Sequence, residues 1–408
     1  MIHVEPFSII TDILIVLAAA ILLGELFERF RLPAVVGEIL SGMIIGPSLL
    51  GLVVADDPLR AVSSIALFFI IFHIGFEMKT QMIQGRLRVA SLLSITSFLI
   101  PLVLMVLIAL LIFPFSTSET FVLALAVAVP SLSIVSVLIW QYNLLKTTAG
   151  QIMLASVTIS DVLAFIFLAG ILRPIESTLT ISLEVGLFIA FYAISDFFLN
   201  RKPEVFQKFI SRAGKIFRRQ DFAFALLIVI ALLISVVFQN IGLSYILGAF
   251  FAGLILHDGL IGRKACDRIS QTFSTMNSIF FVPLFFGFAG VEVILSGIDY
   301  LFYVGLALLI AVALGVGVSL TYLTSKRVLS KVDLVPKQLA GILGGKGAIG
   351  IVIATVAFSE GFLSEAGFSL VIVATLIVSL IIPFVAGRKT VEEPKAVVPA
   401  ANNCSVDT

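Results

Sequence analysis

Two ionisable side chains stand inside long apolar runs, where a charge is expensive. Asp161 lies in MLASVTISDVLAFIFLAG, and Lys346 lies among the glycines of GILGGKGAIG. A charged group near mid-membrane costs ~2.5–3.5 kcal/mol on insertion scales, so each of the two asks for a functional explanation. A carboxylate withdrawn from water binds its proton more tightly and can release it as a cation arrives, which is the chemistry of ion exchange. A nearby lysine opposes that tightening and supplies compensating charge while no cation is bound. The competing reading of the same two residues is a structural ion pair that staples the halves of the fold.

Other candidates carry weaker signals. Pro130 in AVAVPSLSIVS is followed by Ser131, Ser133 and Ser136. Such hydroxyls either bond back to helix carbonyls or, directly after a proline that interrupts the helix, offer oxygen ligands. One carboxylate with hydroxyls, freed carbonyls and water is an adequate shell for a hard alkali cation. Glu38 in VVGEIL reads as helix packing or as the mouth of an access funnel. Glu77 beside Lys79 reads as a local pair, and mid-span His73 as a satisfied interior histidine or a proton relay. GGKGAIG lacks P-loop spacing and follows no soluble strand, so no nucleotide site is expected.

The elements that must position these residues follow from composition. Of 408 residues, 60% are apolar and 12% charged, where soluble domains sit near ~45–50% and ~25%. A mean hydropathy of +1.18 cannot be hidden in one compact core, because a soluble domain must clothe its surface in polar side chains. The solvent is therefore mostly lipid, and the fold an all-α membrane protein. A net charge of +1 gives no reason to expect nucleic acid or an acidic macromolecule as partner. Cys266 and Cys404 have no partner motif, so neither a disulfide framework nor a zinc site is expected. No cofactor is expected either. The N-terminal stretch lacks a basic n-region and a cleavage site and reads as a retained first span.

Thirteen candidate spans emerge, at about 7 to 28, 34 to 52, 61 to 78, 88 to 114, 119 to 140, 149 to 171, 178 to 200, 221 to 239, 241 to 258, 272 to 290, 298 to 325, 338 to 358 and 366 to 387. Their loops should alternate sides, and 23 of the 26 Lys and Arg then fall on one side. Arg60 and Arg173 fall opposite, and Lys346 within a span. This asymmetry places the C-terminus in the cytoplasm and the N-terminus outside. The basic segment from 201 to 220 reads as a cytoplasmic linker helix on anionic headgroups or as a regulator's docking site. Residues 389–408 read as a short disordered cytoplasmic tail.

The chain also repeats itself. FFIIFHIGF at 68 to 76 aligns with FFVPLFFGF at 280 to 288, pairing Gly75 with Gly287 at an offset of 212. Gly37 and Gly42 align with Gly248 and Gly253 at an offset of 211. This maps span 2 to span 9 and span 3 to span 10, a shift of seven. Because seven is odd, paired helices cross the bilayer in opposite directions. The expectation is two inverted-topology six-helix repeats, about 7–171 and 221–387, joined by linker helix 178–220, with a binding site near the midplane where broken helices meet. The offset pairs span 5 with span 12, and both carry breakers: Pro130 in one, Gly344, Gly345 and Gly347 in the other.

With these residues in place, the chain resembles the monovalent cation-proton antiporter superfamily, in particular the Kef-type and sodium-proton exchanger membrane domain. The likeness spans about residues 8 to 388. It is carried by RLPAVVGEILSGMIIGPSLLG, FFIIFHIGFEM, the stretch from Pro130 to Ser136, NLLKTTAGQIMLASVTISDVLAF, IGLSYILGAFFAGLILH and GGKGAIG. The resemblance implies a thirteen-helix fold with crossed broken helices, a dimerisation domain and elevator-type alternating access. It also implies that Asp161 is the transported-ion carboxylate and Lys346 its basic partner; Ser131 and Ser133, from their place after Pro130, and Ser160 are the further candidate ion-binding residues. Where the family usually has Asp or Asn before the essential Asp, this chain has Ser160. A single carboxylate favours electroneutral exchange of one cation for one proton.

The expected function is thus a sodium- or potassium-proton antiporter of the plasma membrane, a homodimer and not an enzyme. A separate regulatory subunit is compatible with it. Alternatives from the same residues are uptake of an organic anion or other solute through a related inverted-repeat fold, with Lys346 binding the substrate, and a non-transporting membrane sensor.

Overall fold

The structure, a computed structural model, describes residues 6–30, 32–77, 87–112, 115–132, 135, 138–139, 144, 147–171, 222–240, 245–255, 263–295, 300–328 and 336–386. Regular structure among them is helical, as lipid demands of a backbone that must satisfy its own polar groups. The elements are α1 (Pro6–Arg29), α2 (Ala34–Ile45), α3 (Asp57–Glu77), α4 (Leu87–Ser94, then a π-helical turn Ile95–Leu99, then Ile100–Ile112), α5 (Thr117–Ala128) and α6 (Thr148–Ile171). After the next described stretch begins come α7 (Phe222–Asn240), α8 (Tyr245–Ile255), α9 (Arg263–Met276, π turn Asn277–Phe281, Val282–Val291) and α10 (Tyr300–Ala311, π turn Val312–Gly317, Val318–Val328). The last are α11 (Pro336–Leu343), α12 (Ala348–Ser359) and α13 (Glu365–Ala386).

Helix lies over each expected span except 178 to 200. That span, the basic segment 201 to 220, the tail 389–408, Lys79, Ser133 and Ser136 fall outside the described residues. Seven of the described helical stretches are long and apolar enough to cross a membrane. Others are shorter for local reasons. The backbone turns out of α2 at Gly46, one residue before Pro47, and α5 ends two residues before Pro130, whose ring cannot continue a helix.

Two bundles result. In the first, α1, α2, α3, α7, α8 and α9 pack chiefly on one another; in the second, α4, α5, α6, α10, α11, α12 and α13 do the same. The tightest crossings of the first bundle fall on the repeated glycines. Gly42 of α2 lies against Gly287 and Gly290 of α9, and Gly253 of α8 lies against Phe72, Gly75 and Phe76 of α3. Backbones meet so closely there that a Cβ at either position would strike main-chain atoms. Gly37 meets Leu23 of α1 and Gly248 meets Ser235 of α7 in the same manner. An array of rings on α3, α7 and α9 fills the space between them: Phe72 and Phe224 each pack on Phe273, at 5.1 and 4.8 Å between centroids.

On one face of the molecule the loops after α2 and α9 and the starts of α3, α5 and α13 are tied into a network. Arg60 pairs with Glu292, Ser48 donates to the Val293 carbonyl, Ile294 N–H donates to Ser369 Oγ, and Ser364 N–H donates to Glu119. These are the helix ends that the charge census assigns to the side poor in Lys and Arg.

Candidate ion site

The second bundle is organised by a crossing of interrupted helices. α5 stops at Ala128, and α11 and α12 are separated by Gly344 to Gly347. Where the two breaks pass, Pro130 and Lys346 form an isolated antiparallel bridge. Ser131 N–H donates to the Gly345 carbonyl at 2.8 Å, and Ala348 N–H donates to Ser131 Oγ at 3.2 Å. Ser131 thus supplies the side-chain cap that the start of α12 lacks locally, since Gly347 has no side chain to offer. Crossing is tight beyond the breaks too: Gly350 of α12 abuts the Ala126 carbonyl of α5.

Lys346 threads through this crossing almost fully buried. Its Nζ donates to the Ser97 carbonyl at 3.2 Å and to the Ala128 carbonyl. Both acceptors have a structural origin. Ala128 is the last residue of α5, where carbonyls have no partner within the helix and the helix dipole is negative. Ser97 sits in the π turn of α4, where the wider repeat disturbs the regular carbonyl ladder. Ser379 of α13 then donates to the Lys346 carbonyl at 2.6 Å.

Asp161 lies mid-way along α6, with no exposed surface. Neither carboxylate oxygen has a hydrogen-bond partner. Its neighbour Ser160 lies 2.8 Å, Oγ to Oγ, from Ser94 of α4 and donates to the Ser156 carbonyl at 3.1 Å. The ion pairs among the described residues are Arg29 with Glu25 and Arg60 with Glu292. Asp161 and Lys346 therefore form no pair in this arrangement; the lysine neutralises helix carbonyls instead. A buried polar group without a partner is unusual and calls for a reason.

The structure brings Asp161, Ser160, Ser131, Lys346, Pro130, Gly344, Gly345 and Gly347 into the second bundle, and Ser133 lies outside the described residues. Glu38 is placed elsewhere: it is buried in the first bundle, its Cγ 3.3 Å from where a Cβ on Gly24 of α1 would stand. His73 is stacked on Phe273 in the same bundle, at 6.0 Å between centroids. Sequence reading missed Ser94, the Ser97 and Ala128 carbonyls, and Ser379. A Ser-x-x-Ser in an apolar span was visible for the first two, but a π turn leaves no mark in composition.

A family model described as "Sodium/hydrogen exchanger, transmembrane" matches residues 13–388. The Na(+)/H(+) antiporter NhaS4 of Synechocystis is 27% identical over 394 residues, covering 91% of this chain and 95% of that one. The K(+)/H(+) antiporter 1 of Saccharomyces cerevisiae is 25% identical over 386 residues, covering 86% of this chain and 43% of that protein. In fold, the chain is similar to the sodium proton antiporter MjNhaP1 from Methanocaldococcus jannaschii, with a TM-score of 0.66 at 15% identity over 93% of this chain and 96% of the other.

Proposed function

Because the chain belongs to the sodium/hydrogen exchanger transmembrane family, a family of transporters and not of enzymes, we propose that this multi-pass membrane protein is a secondary antiporter exchanging sodium or potassium for protons. The observation that carries the reading is the orphaned carboxylate of Asp161. A protonated Asp161 gives up its proton as an alkali cation binds the carboxylate, and the reverse step on the other side of the membrane returns a proton to the same oxygen. Ser160, next to Asp161 in α6, and Ser131, at the crossing of the broken helices, are the candidate oxygen ligands, although each already serves a hydrogen bond here.

Lys346 holds charge at the crossing without occupying Asp161, which leaves the carboxylate to the transported ions. Two of its three donors are engaged by helix carbonyls, which counts against the rival reading in which it binds an organic anion. One exchanging carboxylate gives one cation for one proton, an electroneutral cycle. Alternating access is of the elevator kind, the second bundle carrying the site past the first. The repeated glycine contacts support two inverted repeats within a thirteen-span fold, since Gly42 on Gly287 and Gly253 on Gly75 exchange the aligned positions of the two halves. The protein resides in the plasma membrane as a homodimer, N-terminus outside and C-terminus in the cytoplasm, with or without a regulatory subunit.

The test is exchange in proteoliposomes with an internal pH dye, offering sodium, potassium, rubidium and lithium in turn. Native protein is expected to acidify or alkalinise the lumen with the cation gradient, and Asp161→Asn, purified as a monodisperse species, to be inert. Native-rate exchange by Asp161→Asn overturns the proposal.

A further inference from the structure

The two bundles meet on the face that carries the start of α3 and the end of α9, and one ion pair of the first bundle stands at that seam. Arg60 Nη2 lies 3.0 Å and Nε 3.1 Å from Glu292 Oε1. Both residues belong to the first bundle, with the Glu292 side chain 3% exposed and that of Arg60 41% exposed. The guanidinium so held lies 6.0 Å from the ring centroid of Phe358, at the end of α12. Phe358 is in turn stacked on Phe368 of α13, at 4.8 Å. Two residues past Glu292, Ile294 N–H donates to Ser369 Oγ, also of α13, at 3.0 Å. The segment anchored by the ion pair thus touches both α12 and α13 of the second bundle.

Beneath Arg60 is a cleft lined from the first bundle by Ser63, Tyr245 and Glu292, and from the second by Thr355 and Ser359. Glu292 and Thr355 line it from the two bundles, and Glu292 Oε2 and Thr355 Oγ1 are both buried without a hydrogen-bond partner. Buried polar groups in that condition are costly, and each would gain a partner if the cleft widened and water entered. Something must hold the seam shut against that gain. A cation is attracted to a ring face even at a partly exposed site, and a carboxylate fixing the guanidinium in place lowers the entropy cost of finding the ring.

We propose that Arg60, positioned by Glu292 and seated on the Phe358 ring, is a latch that keeps the seam between the two bundles shut on this face. Breaking either contact shifts the population toward a form in which the cleft around Thr355 is open to water. The proposal rests on the reading of the protein as an alternating-access transporter, yet its test needs no transport.

Cys266 and Cys404 are replaced by serine, Thr355→Cys is introduced as a reporter, and labelling by a charged maleimide is timed with the reagent on either side of sealed vesicles. Glu292→Gln and Arg60→Gln are each expected to speed labelling about fivefold or more, and the two together no further than one alone, because both undo one device. Phe358→Leu, which removes the ring and leaves the ion pair, is expected to do the same, and Arg60→Lys to fall between. The Asp161→Asn background is expected to show the same acceleration, so a failure of the antiport reading does not mimic a failure of the latch. Native labelling rates in Glu292→Gln and Phe358→Leu together overturn it.

Discussion

Ser160 is one hydroxyl away from changing the charge count of the site. It lies beside Asp161 within bonding distance of Ser94, entirely buried. Ser160→Asp places a second carboxylate next to the first, and if both release their protons as one monovalent cation binds, two protons exchange for one cation and each cycle moves one net charge. Native exchange is expected to move no net charge on a solid-supported membrane, and Ser160→Asp to generate a transient current with the same cation. Lys346 permits a separate prediction, about stability. Removing its ammonium leaves the Ser97 and Ala128 carbonyls buried without that donor, at ~1–3 kcal/mol for each lost partner. Lys346→Met is expected to lower the thermal midpoint of the detergent-purified protein by several degrees, and Lys346→Arg by less. That an ionisable pair occupied the spans was legible in the sequence. That the lysine turns toward carbonyls and leaves the aspartate bare was not, because the choice depends on where α5 ends and α4 adopts its π turn.

Among the elements, helix crossings are set by the smallest residues. A side chain at Gly253 would collide with the main chain of α3 between Phe72 and Phe76, and one at Gly42 with that of α9. Neither neighbour is a flexible side-chain end, so the helices themselves would have to part. Gly253→Val is expected to cost at least ~3 kcal/mol, in the range of severe overpacking, and to be read as loss of a monodisperse peak or a collapsed thermal midpoint. Gly51 is the contrast: its φ of +61° lies in the left-handed region, but nothing stands within 4 Å of an added Cβ. Gly51→Ala should cost only about 1 kcal/mol, from backbone strain alone. The aligned glycines were visible in the sequence as a repeat. Their exchange of partners between halves appears only when α2 meets α9 and α8 meets α3.

For the whole molecule, the question is whether the two bundles move past one another. Phe165 lies four residues along α6 from Asp161, on the same side of the helix, and packs at 4.9 Å between centroids on Phe250 of α8 in the other bundle. If the second bundle slides, this contact must break in each cycle. Phe165→Cys with Phe250→Cys, in protein whose native cysteines are serine, is expected to lose exchange when bridged by a short bifunctional thiol reagent that can be reduced, and to regain it on reduction. Bridging that leaves the rate unchanged would mean the site works without relative motion at this seam.

Composition and hydropathy alone marked a lipid-solvated helical chain, runs of apolar residues over which helices lie, the uneven distribution of its Lys and Arg, and Asp161 and Lys346 as groups out of place. Those properties are local or summed along the chain: burial is costly for a charge wherever it lies, and a run of apolar residues is long enough or it is not. Tertiary structure decided the partners. Lys346 with Ala128, 218 residues apart, and Arg60 with Glu292, 232 apart, are joined by helix crossings whose angle and depth arise from packing between distant segments, and hydrogen bonds tolerate errors of only a few tenths of an ångström in that packing.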